Sequence, residues 1–190
     1  PNWVIAGFIW SKSVHVSPAN TSPSSAARAR GRRYPVVSSI TSMISRGATR
    51  IQSGDFAGAV AEFRRAAAYD PTSTTALRYL GKTYLMMGRQ DDAIAAFQKA
   101  LKLDTTDDTV RGELAGAYVK AQRYSEAEKE YVQLARKNVL DAGARASLGY
   151  IYMETGRLEE AEVQFQSAAR LSRDDPAAQY SLGLVKNRQG

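Results

Sequence analysis

The sequence predicts an all-α chain built as a tandem array of helix-turn-helix units, and three observations carry that prediction. From about residue 40 the chain resembles itself at a period of 34 residues, with no insertion or deletion across four copies. Within each copy, apolar or small residues recur at three- and four-residue intervals on both sides of a break, the spacing of two amphipathic helices. Gly54, Gly88 and Gly156 supply the break, where a glycine closes a helix in the left-handed conformation without steric cost.

The copies run over 40–73, 74–107, 108–141 and 142–175, with 176–190 as one further helix. In the first helix of each unit the small column is Gly47, Gly81, Ala115 and Gly149, continued by Gly183 in the last helix. Leu80, Leu114, Leu148 and Leu182 stand one residue before it, and Tyr84, Tyr118 and Tyr152 three after. In the second helix Ala59, Ala93, Ala127 and Ala161 are each followed four residues later by an aromatic: Phe63, Phe97, Tyr131 and Phe165. Ala66, Ala100, Leu134 and Ala168 complete the pattern. A small residue at a helix crossing lets two backbones approach, and the aromatic fills the groove beside it. Ser125 with Glu128 reads as a capping box, and Asp175 before Pro176 as a cap with proline in the first turn. Acidic pairs at 91–92, 107–108, 159–160 and 174–175 fall near helix starts, where they suit the positive helix end rather than acid-base chemistry.

The columns Leu80-Gly81-Tyr84, Ala93, Phe97 and Ala100, with Pro71 closing the preceding copy, resemble the tetratricopeptide repeat. The resemblance implies a right-handed α-solenoid with a concave face lined by the first helix of each pair, and residues 176–190 as its end cap. It further implies a groove for a peptide or partner helix, formed by Arg78, Tyr79, Lys82 and Met86 in the second copy and Glu113, Gly116 and Lys120 in the third. Tyr150, Met153 and Glu154 follow in the fourth, and Tyr180 and Leu184 in the last helix. Tyrosine and methionine suit such a surface, because one offers area with a polar tip and the other adapts to irregular shapes. Gly112, Gly116, Gly143, Ala146 and Ser147 are expected to leave the middle of the groove open. Departures fall at the ends: Arg46 and Arg50 replace Leu and Tyr, and Lys186 replaces the aromatic, as a solvated end cap requires. Three copies also lack the closing proline, having Thr105, Val139 and Arg173 instead.

Residues 1–39 are different in kind. Of the 26 lysines and arginines in the chain, seven precede Asp55, the first acidic residue, so the net charge of +7 belongs wholly to the first quarter. The arm combines an apolar start containing Trp3, Phe8 and Trp10, a Ser/Pro/Ala/Thr stretch and the cluster Arg28, Arg30, Arg32 and Arg33. It has no helical period and too little apolar content for a core, so an extended N-terminal linker is expected. Eight apolar residues do not span a bilayer. Tryptophan followed by Lys12 nonetheless matches the end of a membrane anchor begun upstream of Pro1, the alternatives being a tag remnant or a peptide that docks on a partner. An anchor there would place the repeats on the cytoplasmic side by the positive-inside bias, against a soluble or extracytoplasmic alternative.

Catalytic chemistry has few residues to draw on. The chain has no cysteine and one histidine, His15, which excludes disulfides, thiolate zinc sites and cysteine nucleophiles and leaves no imidazole metal site. Residues 76–83, ALRYLGKT, have the spacing of a phosphate-binding loop, but they lie inside a repeat helix whose amides are already used. Asn20-Thr21-Ser22 fits a glycosylation acceptor, a pattern common by chance. The expected function is therefore a non-enzymatic protein-protein interaction scaffold without metal, cofactor or small-molecule substrate, tethered by its arm to a membrane or larger complex. The alternative is a nucleic-acid-associated adaptor acting through Arg28 to Arg33, disfavoured because only Tyr34 offers a base-stacking ring nearby.

Overall fold

A computed structural model describes residues 34–172 and 176–189. Among the described residues there are nine helices and no strand: α1 (Tyr34–Gln52), α2 (Phe56–Tyr69), α3 (Thr74–Met86), α4 (Gln90–Leu103), α5 (Asp108–Lys120), α6 (Tyr124–Lys137), α7 (Ala142–Glu154), α8 (Leu158–Leu171) and α9 (Pro176–Gln189). Each packs on the helix before and after it, because a single amphipathic helix pair can cover its apolar face only by stacking on the next. The first helix opens at Tyr34, inside the stretch assigned to the extended arm. Pro35 is compatible with that start, since a first-turn residue needs no backbone N–H.

The small-aromatic columns meet as the crossing of each pair. A Cβ placed on Gly47 would lie 2.5 Å from the Phe63 ring, on Gly81 2.7 Å from Phe97, and on Gly149 2.9 Å from Phe165. The rings thus lie against the backbone where a side chain would not fit, and Phe63 and Phe97 are fully buried. Gly54, Gly88 and Gly156 have φ of 79, 70 and 79°, as their place at the break requires, while the third copy puts Gln122 into the same turn at φ 57°. The glycine signal was therefore incomplete without the turn being absent.

Helix starts follow a second rule. Asp55, Ser73, Asp107 and Asp141 accept hydrogen bonds from backbone amides of the first turn. The capping box expected at Ser125 does not form: Arg123 occupies the cap position, Ser125 lies within α6, and Glu128 reaches Arg157 of the next repeat at 2.6 Å. Side-chain turns hold the described connections between repeats, with or without the closing proline. Asp70 Oδ1 accepts from Thr72 N and Oγ1 at 2.9 and 2.7 Å, and Asp104 Oδ1 accepts from Thr106 in the same way. In the third connection Asn138 Oδ1 accepts only from Leu140 N, at 3.2 Å.

Those hydrogen bonds hold the Asp70 and Asp104 carboxyls below their ordinary value of 3.8, and bonds from Gly58 N and Arg50 do the same for Asp55. A depressed folded-state pKa stabilises the protein above the unfolded value and is lost as pH falls through the folded one. The thermal midpoint is therefore expected to hold steady near neutrality and to fall once pH drops below about 4. Substituting Thr72 and Thr106 together by valine should flatten that decline in a pH series of melting curves.

The first copy replaces Leu and Tyr by arginine without losing packing. Arg46 pairs at 2.9 Å with Glu62, a carboxylate only 9% exposed that also has Arg65 at 3.6 Å. Arg50 pairs with Asp55 across the α1–α2 turn. A main apolar core extends from α2 to α7, and Met153, Ala161, Phe165 and Val185 form a second cluster under α9.

Candidate functional site

First helices meet one another along one side of the stack, α1 with α3, α3 with α5 and α7 with α9, the row that the resemblance assigns to the inner face. On α3, Tyr79 stacks on Phe63 of the preceding pair, with centroids 5.4 Å apart and planes at 13°. Arg78 Nε lies 3.0 Å from both Glu113 oxygens, and Lys82 Nζ is 3.6 Å from Oε1 of the same carboxylate. These three residues thus form one cluster bridging α3 and α5, two cations on one anion, with all three side chains partly exposed. Met86 beside them is half-buried, and Lys120 at the end of α5 is exposed.

Tyr150 on α7 meets Tyr124 edge-on at 6.4 Å and 73°. Burial first, then the Glu154 charge, push its phenol far above the ordinary tyrosine value, so it stays protonated and can donate. Glu154 is exposed with an oxygen 3.5 Å from Arg188 Nη1. Tyr180 on α9 is 58% exposed and Leu184 half-buried. Met153 does not face the groove: it is 3% exposed and packs with Ala161, Phe165 and Val185. It is the residue immediately before Glu154, and that single step of the helix turns it towards α8 and α9. Gly116 and Ala146 are buried as well, whereas Gly112 and Ser147 are half-buried and Gly143 is exposed. The arm residues Trp3, Phe8, Trp10, Arg28, Arg30, Arg32 and Arg33 lie outside the described residues, as does the cap expected at Asp175.

A further column escaped the reading of the sequence. Arg89, Arg123 and Arg157, one in each repeat after the first, lay their guanidinium groups 4.7, 5.0 and 4.1 Å from the ring centroids of Tyr84, Tyr118 and Tyr152. Each also pairs with a carboxylate, Asp92, Glu126 or Glu128, at 2.6–2.7 Å. Their 34-residue spacing was the available signal. They clamp the turns rather than line the groove. The phosphate-loop lookalike at 76–83 lies within α3, and Thr83 Oγ1 donates to the Tyr79 carbonyl at 2.7 Å. Among the described residues no group of three or more His, Asp or Glu side chains is placed to hold a metal ion, and no helix is long and apolar enough to cross a membrane.

Family models described as tetratricopeptide repeat match residues 46–108 and 88–142, and a third, described as TPR repeat, matches 149–190. The chain belongs to the tetratricopeptide repeat family. Its fold is accordingly the right-handed α-solenoid of that family. Among solved structures it is similar to the MamA protein, with 26% identity over 80% of this chain and 83% of that one and a TM-score of 0.74. PilF of Pseudomonas aeruginosa shares the fold, with 20% identity, 82% and 71% coverage and a TM-score of 0.70. So does YrrB, described as a TPR protein with an unusual peptide-binding site, with 22% identity, 77% and 76% coverage and a TM-score of 0.66. No curated protein matches in sequence. Tetratricopeptide membership supports a protein-interaction scaffold.

Proposed function

We propose that the chain is a non-enzymatic scaffold that holds a segment of a partner protein against the inner face of its solenoid. The observation that supports this reading most is the row of first helices itself, which carries the charged cluster of Arg78, Lys82 and Glu113 and the accessible rings of Tyr79, Tyr150 and Tyr180. Helices preorganise these groups, so a bound segment orders little of the scaffold and the association cost falls mainly on the partner. YrrB indicates that the fold can carry a peptide site. The partner class is protein, and the arm acts as a tether that brings the groove to a membrane or a larger complex, with the repeats on the cytoplasmic side.

A photo-crosslinking side chain placed at Tyr180 or Lys120 is expected to capture a discrete partner from the native source, while the same probe at exposed Lys99 of α4 is not. Equal labelling from all three positions would remove the groove from the proposal. Deleting residues 1–33 should leave groove crosslinking to a purified partner intact but release the protein from its native fraction; retention of that location would end the tether reading.

A further inference from the structure

We infer that the end of the stack where the second helices finish docks edge-on on an anionic lipid bilayer. Short connections make consecutive helices antiparallel, so α2, α4, α6 and α8 end, and the first helices begin, at this one edge. Eight large apolar side chains are exposed among the described residues, and five of them lie here: Tyr69, Leu103, Val139, Leu140 and Leu171. Every repeat contributes. Val139 and Leu140, in the α6–α7 connection, are the most exposed of all, at 60% and 71%. Arg145 donates twice to the Val139 carbonyl, at 3.2 and 3.0 Å, so the turn that presents this pair is braced.

Charge at the edge divides into free cations and engaged anions. In their last seven residues α2, α4 and α6 each carry two basic side chains and α8 one, and none of the four carries a carboxylate. Lys102, Arg136 and Arg170, one period apart, are exposed and enter no ion pair or hydrogen bond among the described residues. The described carboxylates that share the edge are occupied. Asp70 and Asp104 accept from Thr72 and Thr106, Asp107 and Asp141 cap α5 and α7, and Asp108 meets Lys137 at 2.7 Å.

The opposite edge is built differently. There Arg89, Arg123 and Arg157 are all paired with carboxylates, and Met87 is the one exposed large apolar side chain among the described residues. Helix ends account for the sign of the free charges, since cations suit a helix C-terminus. They do not account for apolar side chains set among those cations. A bilayer surface takes both at once, with lipid phosphates for the cations and the boundary between headgroups and acyl chains for the apolar tips. α1 also begins at this edge, so the arm with Arg28, Arg30, Arg32 and Arg33 joins the fold beside it. Docked this way, the helices stand upright on the bilayer and the groove opens to the side. The inference goes beyond the groove reading and needs no anchor in residues 1–33.

Because the chain has no cysteine, single labels report without background. An environment-sensitive fluorophore on Leu140→Cys is expected to shift to the blue when vesicles of mixed phosphatidylglycerol and phosphatidylcholine are added, and one on Met87→Cys is not. Affinity in flotation with the same vesicles should fall at least about tenfold in K102E/R136E/R170E, which reverses three charges near the lipid surface, and should also fall in V139S/L140S. All five side chains are exposed, so both variants are expected to keep the parent helical circular dichroism. Deleting residues 1–33 should weaken flotation but preserve the blue shift of the Leu140→Cys label. Flotation unchanged in both edge variants would overturn the docking edge, and if it also vanished with the arm, the tether would stand without it. Equal shifts from the two labels would overturn it too, as would a Leu140→Cys shift that follows protein concentration without vesicles, the mark of a second copy on this edge.

Discussion

Replacing Phe97 by alanine is expected to lower the unfolding free energy by about 3–5 kcal/mol, measured as the shift of a guanidinium transition followed by helical circular dichroism. The ring has no exposed surface and lies in the middle of the array, against the backbone of α3 at Gly81. Gly81 has no side chain with which to refill the space, so the site collapses poorly and the cavity cost adds to the lost transfer energy. Position matters as much as burial. In a stack whose stability is a sum of repeats and interfaces, weakening the second repeat isolates the first from the third. The transition should broaden as well as shift, and a sharp single transition at the parent midpoint would contradict this placement of Phe97.

The converse change, Gly81→Val, is expected to cost about 3 kcal/mol, at the upper end for overpacked sites. Its Cβ alone would sit 2.7 Å from a buried ring carbon, closer than nonbonded atoms tolerate. Gly81→Ala should cost distinctly less, because the third repeat carries Ala115 opposite Tyr131 and buries both. The two substitutions are coupled: in Gly81→Val/Phe97→Ala the ring that clashes is gone and the valine occupies part of its space. The double variant should therefore be more stable than the sum of the two losses, by an interaction term of at least about 1 kcal/mol. Additive losses would show that the glycine column and the aromatic column do not form one contact.

Both predictions arise from columns that the sequence displays openly. Gly81 and Phe97 repeat at 34-residue intervals because every copy solves the same packing problem, and a problem solved four times in one chain leaves a periodic trace. The left-handed turns were legible for the same reason, except at Gln122, where a residue other than glycine adopts φ 57° and breaks the signal without breaking the turn. The arginine column at 89, 123 and 157 is equally periodic, but spacing alone does not name the tyrosine ring that each guanidinium covers.

Other features left no such trace. Met153 and Glu154 are neighbours in sequence, yet one is buried under α9 and the other faces Arg188. Ser125 and Glu128 have the spacing of a capping box, but Glu128 found Arg157 at 2.6 Å in the next repeat, a partner no local rule could name. Arg46 reads as a polar end cap, and in the folded chain it neutralises the nearly buried Glu62.

The period, the two helices per copy, the close crossings and the absence of acidic residues from the first quarter all follow from residue identity and short spacing, because steric fit within one helix pair is a local matter. Which charges pair across repeats and which inner residues stay accessible were decided only when the copies stacked. Those properties depend on side chains from different repeats: the same 34-residue register that brings Arg78 to Glu113 puts Gly112 and Ser147 at the equivalent positions, which carry no charges to pair.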